Sequence, residues 1–222
     1  MNLAKSMDYF DPSKVSGRIH IIGCGSVGST LAENLVRCGV TKLTLWDFDS
    51  VESHNLVNQM FRLDQIGKSK VEALADLLLE INPECELKIQ PNGWNGENLS
   101  GYIFLAVDNI ELRKQIVEKN MMNMSIKAVF DIRTMLTGAQ HFAANWSEKK
   151  HRDDLLSTMQ FSHEEAKDET PTSACGFTLG VAPTVRVIAG IAVMNFIIFV
   201  NGGSIRKFIQ FDLGEQMFMD AV

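Results

Sequence analysis

The glycine-rich turn Gly23-Cys24-Gly25-Ser26-Val27-Gly28 constrains this chain more than any other stretch. The apolar run RIHII at 18–22 stops at it, as a buried strand stops at a turn. Beyond it, Val27, Leu31, Leu35 and Cys38 recur at helical spacing until Gly39, a residue type that ends helices. KLTLW at 42–46 then reads as a second strand and ends on Asp47, 19 positions past Gly28. Strand, turn, helix and strand form one β-α-β unit. Glycines at such a turn let a phosphate approach the backbone. The helix N-terminus adds free N–H groups and a favourable dipole, and the carboxylate ending the next strand is placed for ribose hydroxyls. A bare glycine motif also serves plain helix-on-strand packing. Its position between strand and helix, with Asp47 beyond, favours nucleotide binding.

The remaining pattern alternates in the same way. Residues 70–81 and 110–121 read as helices, and 86–90, 102–107 and 127–132 as strands. A weaker alternation at 138–146 suits antiparallel pairing, and strands at 205–213 and 216–220 flank a Gly214-Glu215 turn. This predicts an α/β, Rossmann-like fold: a mainly parallel sheet with helices on both faces and antiparallel C-terminal edge strands. At 222 residues the chain is read as a single domain, 1–222, long enough to bury roughly 70% of its unfolded surface. The segment 147–171 breaks the pattern. It is charged, contains HEEAKDETP and lacks an apolar stripe, so it is read as a mobile crossover or lid, with a solvated surface helix as the alternative. The apolar helix at 181–200 is expected in the core or across a dimer interface. Its longest apolar run, 187–200, holds Asn195 and is shorter than the roughly 20 residues of a bilayer span.

Charge and cysteine content exclude several classes. With 27 acidic and 21 Lys or Arg side chains the net charge is −6, which argues against nucleic-acid or membrane adhesion. The four cysteines form no CxxC pair, so no zinc and no disulfide framework is expected. The N-terminal MNLAKSMDYFDPSK lacks the apolar core of a signal peptide, and a cytoplasmic location is expected.

The residues after Asp47 narrow the nucleotide. DFDSVESHNLVNQMFRLDQIGKSKVEAL packs Asp47, Asp49, Asn55, Asn58, Gln59 and Lys70 into one short window. A dinucleotide has little need of them. A triphosphate does, because amides and an ammonium at a helix start hold β- and γ-oxygens. Singly, each is an ordinary loop residue or cap; together they point to one site. The blocks GCGSVGS, LTLWDFDSVESHNLVNQ, IGKSKVEAL, INP, AVDN with Arg113 after it, and CGFTLGVAP resemble the ThiF/MoeB/HesA family of ubiquitin-activating-enzyme-like adenylyltransferases. They occur in that family's order over most of the chain. The resemblance implies that Gly23, Gly25, Ser26 and Gly28 line an adenylate pocket and that Asp47 holds the ribose with Asp49 close by. It places Asn55, Asn58, Gln59 and Lys70 on the phosphate side, and Asp108 and Asn109 beside the nucleotide, with Asp108 as the Mg²⁺ ligand. It implies ATP-dependent activation of a carboxylate, the C-terminal glycine of a small ubiquitin-like or sulfur-carrier-like protein or a peptide, by a homodimer. Lys70 and Asp108 would serve the chemistry.

Three departures bear on catalysis more than on binding. Asn58 stands where the family pattern has a phosphate-contacting arginine, and Asn lacks that charge and fork of donors. Arg62, four positions on, reads as a surface residue. The family's N-terminal arginine motif is not recognisable, and its zinc-binding CxxC pairs are absent. A catalytically weak ATP-binding scaffold is therefore one alternative. An NAD(P)-dependent oxidoreductase is another, though no hydride-transfer acid or base stands out. Cys175 is the one candidate nucleophilic thiol, while Cys24 reads as a small filler of the turn and Cys38 as core. Of five histidines only His54 falls in the phosphate-side loop.

Overall fold

A computed structural model describes residues 1–162, 164–165, 172 and 179–221. One eight-stranded sheet runs through it in the order β3-β2-β1-β4-β5-β6-β7-β8. Strands β1 (Ile19–Ile22), β2 (Lys42–Trp46), β3 (Glu86–Gln90), β4 (Gly101–Leu105) and β5 (Ile126–Thr134) are parallel. Strands β6 (Gly138–Asn145), β7 (Phe208–Asp212) and β8 (Met217–Ala221) extend the sheet antiparallel from β5. Five α-helices lie among the described residues: α1 (Ser26–Arg37), α2 (Lys70–Ile81), α3 (Ile110–Asn120), α4 (Lys149–Ser157) and α5 (Ala182–Val200). The expected fold class is the observed one. The main differences in strand length are β7, which is confined to Phe208–Asp212 within the expected 205–213, and β5, which extends through Thr134.

Chain direction dictates the layers. The crossovers from β1 to β2 and from β2 to β3 run one way along the sheet, and the crossover from β4 to β5 runs the other. Right-handed connections then place α1 and α2 on one face and α3 on the opposite face. Side chains alternate to fill both layers. On the first face Ile19, Ile21, Leu43, Leu45, Phe104 and Phe130 meet Leu31 and Leu35 of α1 and Phe196 of α5. On the second, Ile22, Trp46, Ile103, Leu105 and Val129 meet Ile116 and Val117 of α3, with Trp146 fully buried. Each fully buried large apolar side chain contributes about 1.5–3 kcal/mol.

Helix α5 has 19 residues and a mean hydropathy of 2.0, and half of it is buried within this domain. It is a core helix. Its Phe196 stands edge-on to Phe10, Tyr102, Phe104 and Phe130, with ring centroids 5.1 to 6.3 Å apart. Inside the 147–171 segment, residues 149–157 form α4, which buries Arg152 and Leu155. Met159 is also buried, so this part packs on the second face beside Trp146. Residues 163, 166–171 and 173–178 lie outside the described residues.

Candidate functional site

Strand β1 lies between β2 and β4, and the connections leaving it and arriving beside it go opposite ways. A crevice therefore opens at the carboxyl ends of β1 and β4, the place where open α/β sheets hold ligands. The glycine turn sits there. Gly23 has φ +93°, and a Cβ on it would come within 2.7 Å of the Ala106 carbonyl, on the segment leading from β4 to Asp108. A Cβ at Gly28 would collide with the Gly23 carbonyl oxygen. These two glycines are demanded by the fold itself. Gly25 is different: a Cβ there would meet nothing within 4 Å among the described residues. Helix α1 opens at Gly25 without a side-chain cap among the described residues, which leaves its first-turn N–H groups available to a ligand.

Asp47 ties the turn to β2. Its carboxylate accepts the Cys24 N–H at 2.6 Å and the Asp49 N–H at 2.9 Å. Burial pushes the Asp47 carboxyl above its ordinary value, and those two amides pull it back. The chain then leaves the sheet and returns. Val51 N–H donates to the Lys68 carbonyl at 2.8 Å and Lys70 N–H to the Asp49 carbonyl at 2.9 Å. This closure brings Lys70, 7% exposed, to Asp49, with Nζ–Oδ2 2.7 Å. Sequence-distant residues of the window thus reach one wall of the crevice.

The middle of the window divides. Asn55 is buried, and its side-chain oxygen accepts the Glu52 N–H at 2.8 Å, closing the 3₁₀ turn at Ser53–Val57. Asn58 donates from Nδ2 to the Gly180 carbonyl at 3.2 Å, joining this loop to the chain before α5. Gln59 Oε1 and Ser69 Oγ are buried atoms with no hydrogen-bond partner among the described residues. Met60 N–H donates to Ser29 Oγ at 3.2 Å, which seats the 58–60 segment against α1. Arg62 pairs with Glu80 at 2.7 Å and Asp64 at 3.3 Å and is a surface residue.

Across the crevice, Asp108 is exposed just past β4 and has no hydrogen bond or ion pair among the described residues. Asn109 is the N-cap of α3, its oxygen accepting the Leu112 N–H at 2.9 Å. Behind them lies a cluster that sequence reasoning did not assemble. Asp131 is wholly buried in β5 and pairs with Arg113 and with Arg133, the latter at 2.6 Å. Arg113 also donates to the carbonyls of Leu105 and Val107, and so fixes the backbone leading into the Asp108 turn, and to that of Ile132 on β5. Burial pushes the Arg113 guanidinium below its ordinary value, and the Asp131 charge opposes that. The signal was present: an aspartate inside the apolar run AVFDI needs a buried partner.

Cys24 is fully buried, and burial, then the Asp47 charge, push its thiol up, so it is a filler of the turn. Cys38 is half-buried against the first-face core. Cys175 lies outside the described residues.

Fold and site together define a Rossmann-like α/β domain whose glycine turn, Asp47 and Asp108 gather at the carboxyl ends of β1, β2 and β4. Residues 14–221 match the ThiF family, and the chain belongs to that family. It is 30% identical over 187 residues to ubiquitin-like modifier-activating enzyme 5 of Drosophila ananassae, covering 83% of this chain and 45% of that protein. To the Aedes aegypti enzyme of the same name it is 29% identical over 218 residues, covering 87% and 53%. The chain spans about half the length of these curated relatives. Among solved structures, PaaA superposes with a TM-score of 0.72 at 19% identity, over 94% of this chain and 65% of that one. E. coli MccB with ATP superposes with a TM-score of 0.70 at 18% identity, over 94% and 64%. These likenesses establish the shared fold.

Proposed function

We propose that this domain binds ATP with Mg²⁺ and adenylates a carboxylate, the C-terminal glycine of a small ubiquitin-like or sulfur-carrier-like protein or of a peptide, working as a cytoplasmic homodimer. One observation carries the reading. The uncapped turn at Gly25, Asp47, the Asp49–Lys70 pair and Asp108 all stand around the crevice at the carboxyl ends of adjacent parallel strands. Phosphates would lie over the first turn of α1, where amides and helix dipole favour anions. Asp47 spends one lone pair of each oxygen on an amide and keeps others for ribose hydroxyls. Lys70 would share its ammonium between Asp49 and the phosphates.

The residues also fit a divalent cation. Among the described residues no three His, Cys, Asp or Glu side chains form a metal cage. Mg²⁺ does not need one, since it is held by one or two carboxylates plus phosphate oxygens, and Asp108 is an unpaired hard oxygen donor at the right edge. When bound, the ion neutralises phosphate charge. In the reaction a substrate carboxylate oxygen attacks the α-phosphorus. The bond from that phosphorus to the α,β-bridging oxygen breaks, its electron pair leaves with pyrophosphate, and the acyl-adenylate remains. The protein contributes alignment and charge stabilisation.

Relatives support the substrate class: two are named as activating enzymes for a ubiquitin-like modifier, and MccB is solved with ATP and with MccA. The exposed Met194 and the partly covered Val187 and Ile191 on α5 support a dimer contact. The scaffold reading is favoured by Asn58, whose amide is spent on Gly180. Pyrophosphate release with Mg-ATP and small proteins ending in glycine tests both. The expected result is release by the wild type and a drop of roughly 10²-fold or more in Asp108→Ala. ATP binding without release would establish the scaffold, and release untouched by Asp108→Ala would overturn the mechanism.

A further inference from the structure

A triphosphate brings about four negative charges at neutral pH. Among the described residues the crevice already holds Asp47, Asp49 and Asp108 against the ammonium of Lys70. The other cations near the strand ends are committed. Lys70 is paired with Asp49 at 2.7 Å. Arg113 is buried among Asp131 and three carbonyls, and Arg133 is held by Asp131 and by the Thr158 carbonyl and hydroxyl. Arg62 is paired with Glu80 and Asp64 on the surface. One guanidinium differs. Arg186, exposed on the second turn of α5, has no carboxylate partner among the described residues. Its Nη1 rests on the Thr30 hydroxyl and the Met60 sulfur, two neutral acceptors.

The location of those acceptors matters. Thr30 lies one turn into α1, and its hydroxyl donates to the Ser26 carbonyl at 2.9 Å, in the first turn past the glycine loop. Met60 directly follows Asn58 and Gln59, and its amide is seated on Ser29 of the same helix. Arg186 therefore stands at the seam between the phosphate-side loop and the helix whose N-terminus would receive the phosphates. A hydroxyl and a thioether hold a guanidinium weakly compared with a phosphate, which takes a charge-assisted, bidentate fork.

Building on the ATP-site reading above, we infer that Arg186 is a nucleotide-binding residue that leaves Thr30 and Met60 to contact the β- and γ-phosphates of ATP, supplying in cis the guanidinium that position 58 lacks. Because AMP carries neither phosphate, the inference separates two nucleotides on one protein. The test is calorimetric titration of the full chain with Mg-ATP and with AMP, for wild type, Arg186→Gln and Arg186→Lys. Arg186→Gln should weaken ATP about tenfold and leave AMP unchanged, and Arg186→Lys should fall between. Adding Asn58→Arg to Arg186→Gln should recover part of the loss, since both positions line the same seam. Equal ATP affinity in wild type and Arg186→Gln would overturn the inference and leave the ATP site standing. Equal loss of ATP and AMP would overturn it in favour of a structural role, with Arg186→Lys separating charge from packing. Failure of the wild type to bind either nucleotide would overturn the inference and the ATP-site reading together.

Discussion

The parallel part of the sheet, β1 to β5, and the antiparallel part, β6 to β8, carry different things. Strands β1, β2 and β4 all point the same way, so the loops leaving them open on one edge. That edge holds Gly25, Asp47, Asp49, Lys70 and Asp108. Strands β6, β7 and β8 alternate, so their loops fall on opposite edges and no such set accumulates. Their work is mechanical: Asn195 of α5 lies against His141 of β6 at 2.9 Å and donates to the Arg206 carbonyl before β7 at 2.9 Å. Shared strand direction concentrates chemistry, and alternating direction builds a support for the helix that carries Arg186. Strand β5 belongs to both, parallel to β4 and antiparallel to β6.

The largest expected effect therefore comes from breaking that seam. Asp131→Ala removes the one carboxylate shared by Arg113 and Arg133 and leaves two guanidiniums with an uncompensated charge in the interior. Breaking a buried pair in this way costs about 3–5 kcal/mol. Urea unfolding should show that loss as one shifted transition, because the strand serves both halves. Two separate transitions would mean the halves do not share a core through β5.

Acid should act next, and on both halves. Burial holds His20 of β1 and His141 of β6 down at about 4. An unfolded histidine titrates near 6.5, so the unfolded chain takes up these protons first. Stability from the neutral rings is complete above pH 6.5 and is lost as pH falls through the window down to 4. Each contributes a loss of roughly 2 kcal/mol by pH 5. Asp47 works in the opposite sense, since burial raises its folded value and protonation on acidification relieves it. Unfolding midpoints at pH 7 and pH 5 should differ clearly in the wild type and less in a His141→Gln chain. Identical shifts in the two would remove His141 from this account.

The halves were also unequally legible. β1 through α2 could be read closely, because each element carries its own period and its own stop: Gly39 with φ +90° after α1, Asn82-Pro83 after α2. The window from Asp47 to Lys70 could be read because its residues are close in sequence as well as in space. Three features hid for three reasons. Helix α4 has few apolar side chains among charged ones, so its buried Leu155 leaves no stripe. Asp131 was visible as a charge in an apolar run, but its partners lie on another helix and two positions along its own strand. Arg186 meets Thr30 across 156 positions of chain, and no local pattern spans that distance.

The finest test of the comparison uses two glycines three positions apart. Both belong to the same motif, yet one answers to the fold and the other to the space beyond it. A Cβ at Gly28 strikes the Gly23 carbonyl, so Gly28→Ala forces the strand-to-helix turn apart. Such overpacking costs about 1–3 kcal/mol. A Cβ at Gly25 meets nothing within 4 Å among the described residues. Gly25→Ala should therefore leave the melting midpoint within the usual scatter of surface changes, about 0.5 kcal/mol. Its effect should fall on ATP affinity, since the methyl group would occupy the space a phosphate needs over the first amides of α1. Paired melting curves and ATP titrations decide it. Full ATP affinity in Gly25→Ala would show that the phosphates do not lie against this turn. A large stability loss there would show that the space beside Gly25 is not open in the folded protein, and the contrast with Gly28 would fall.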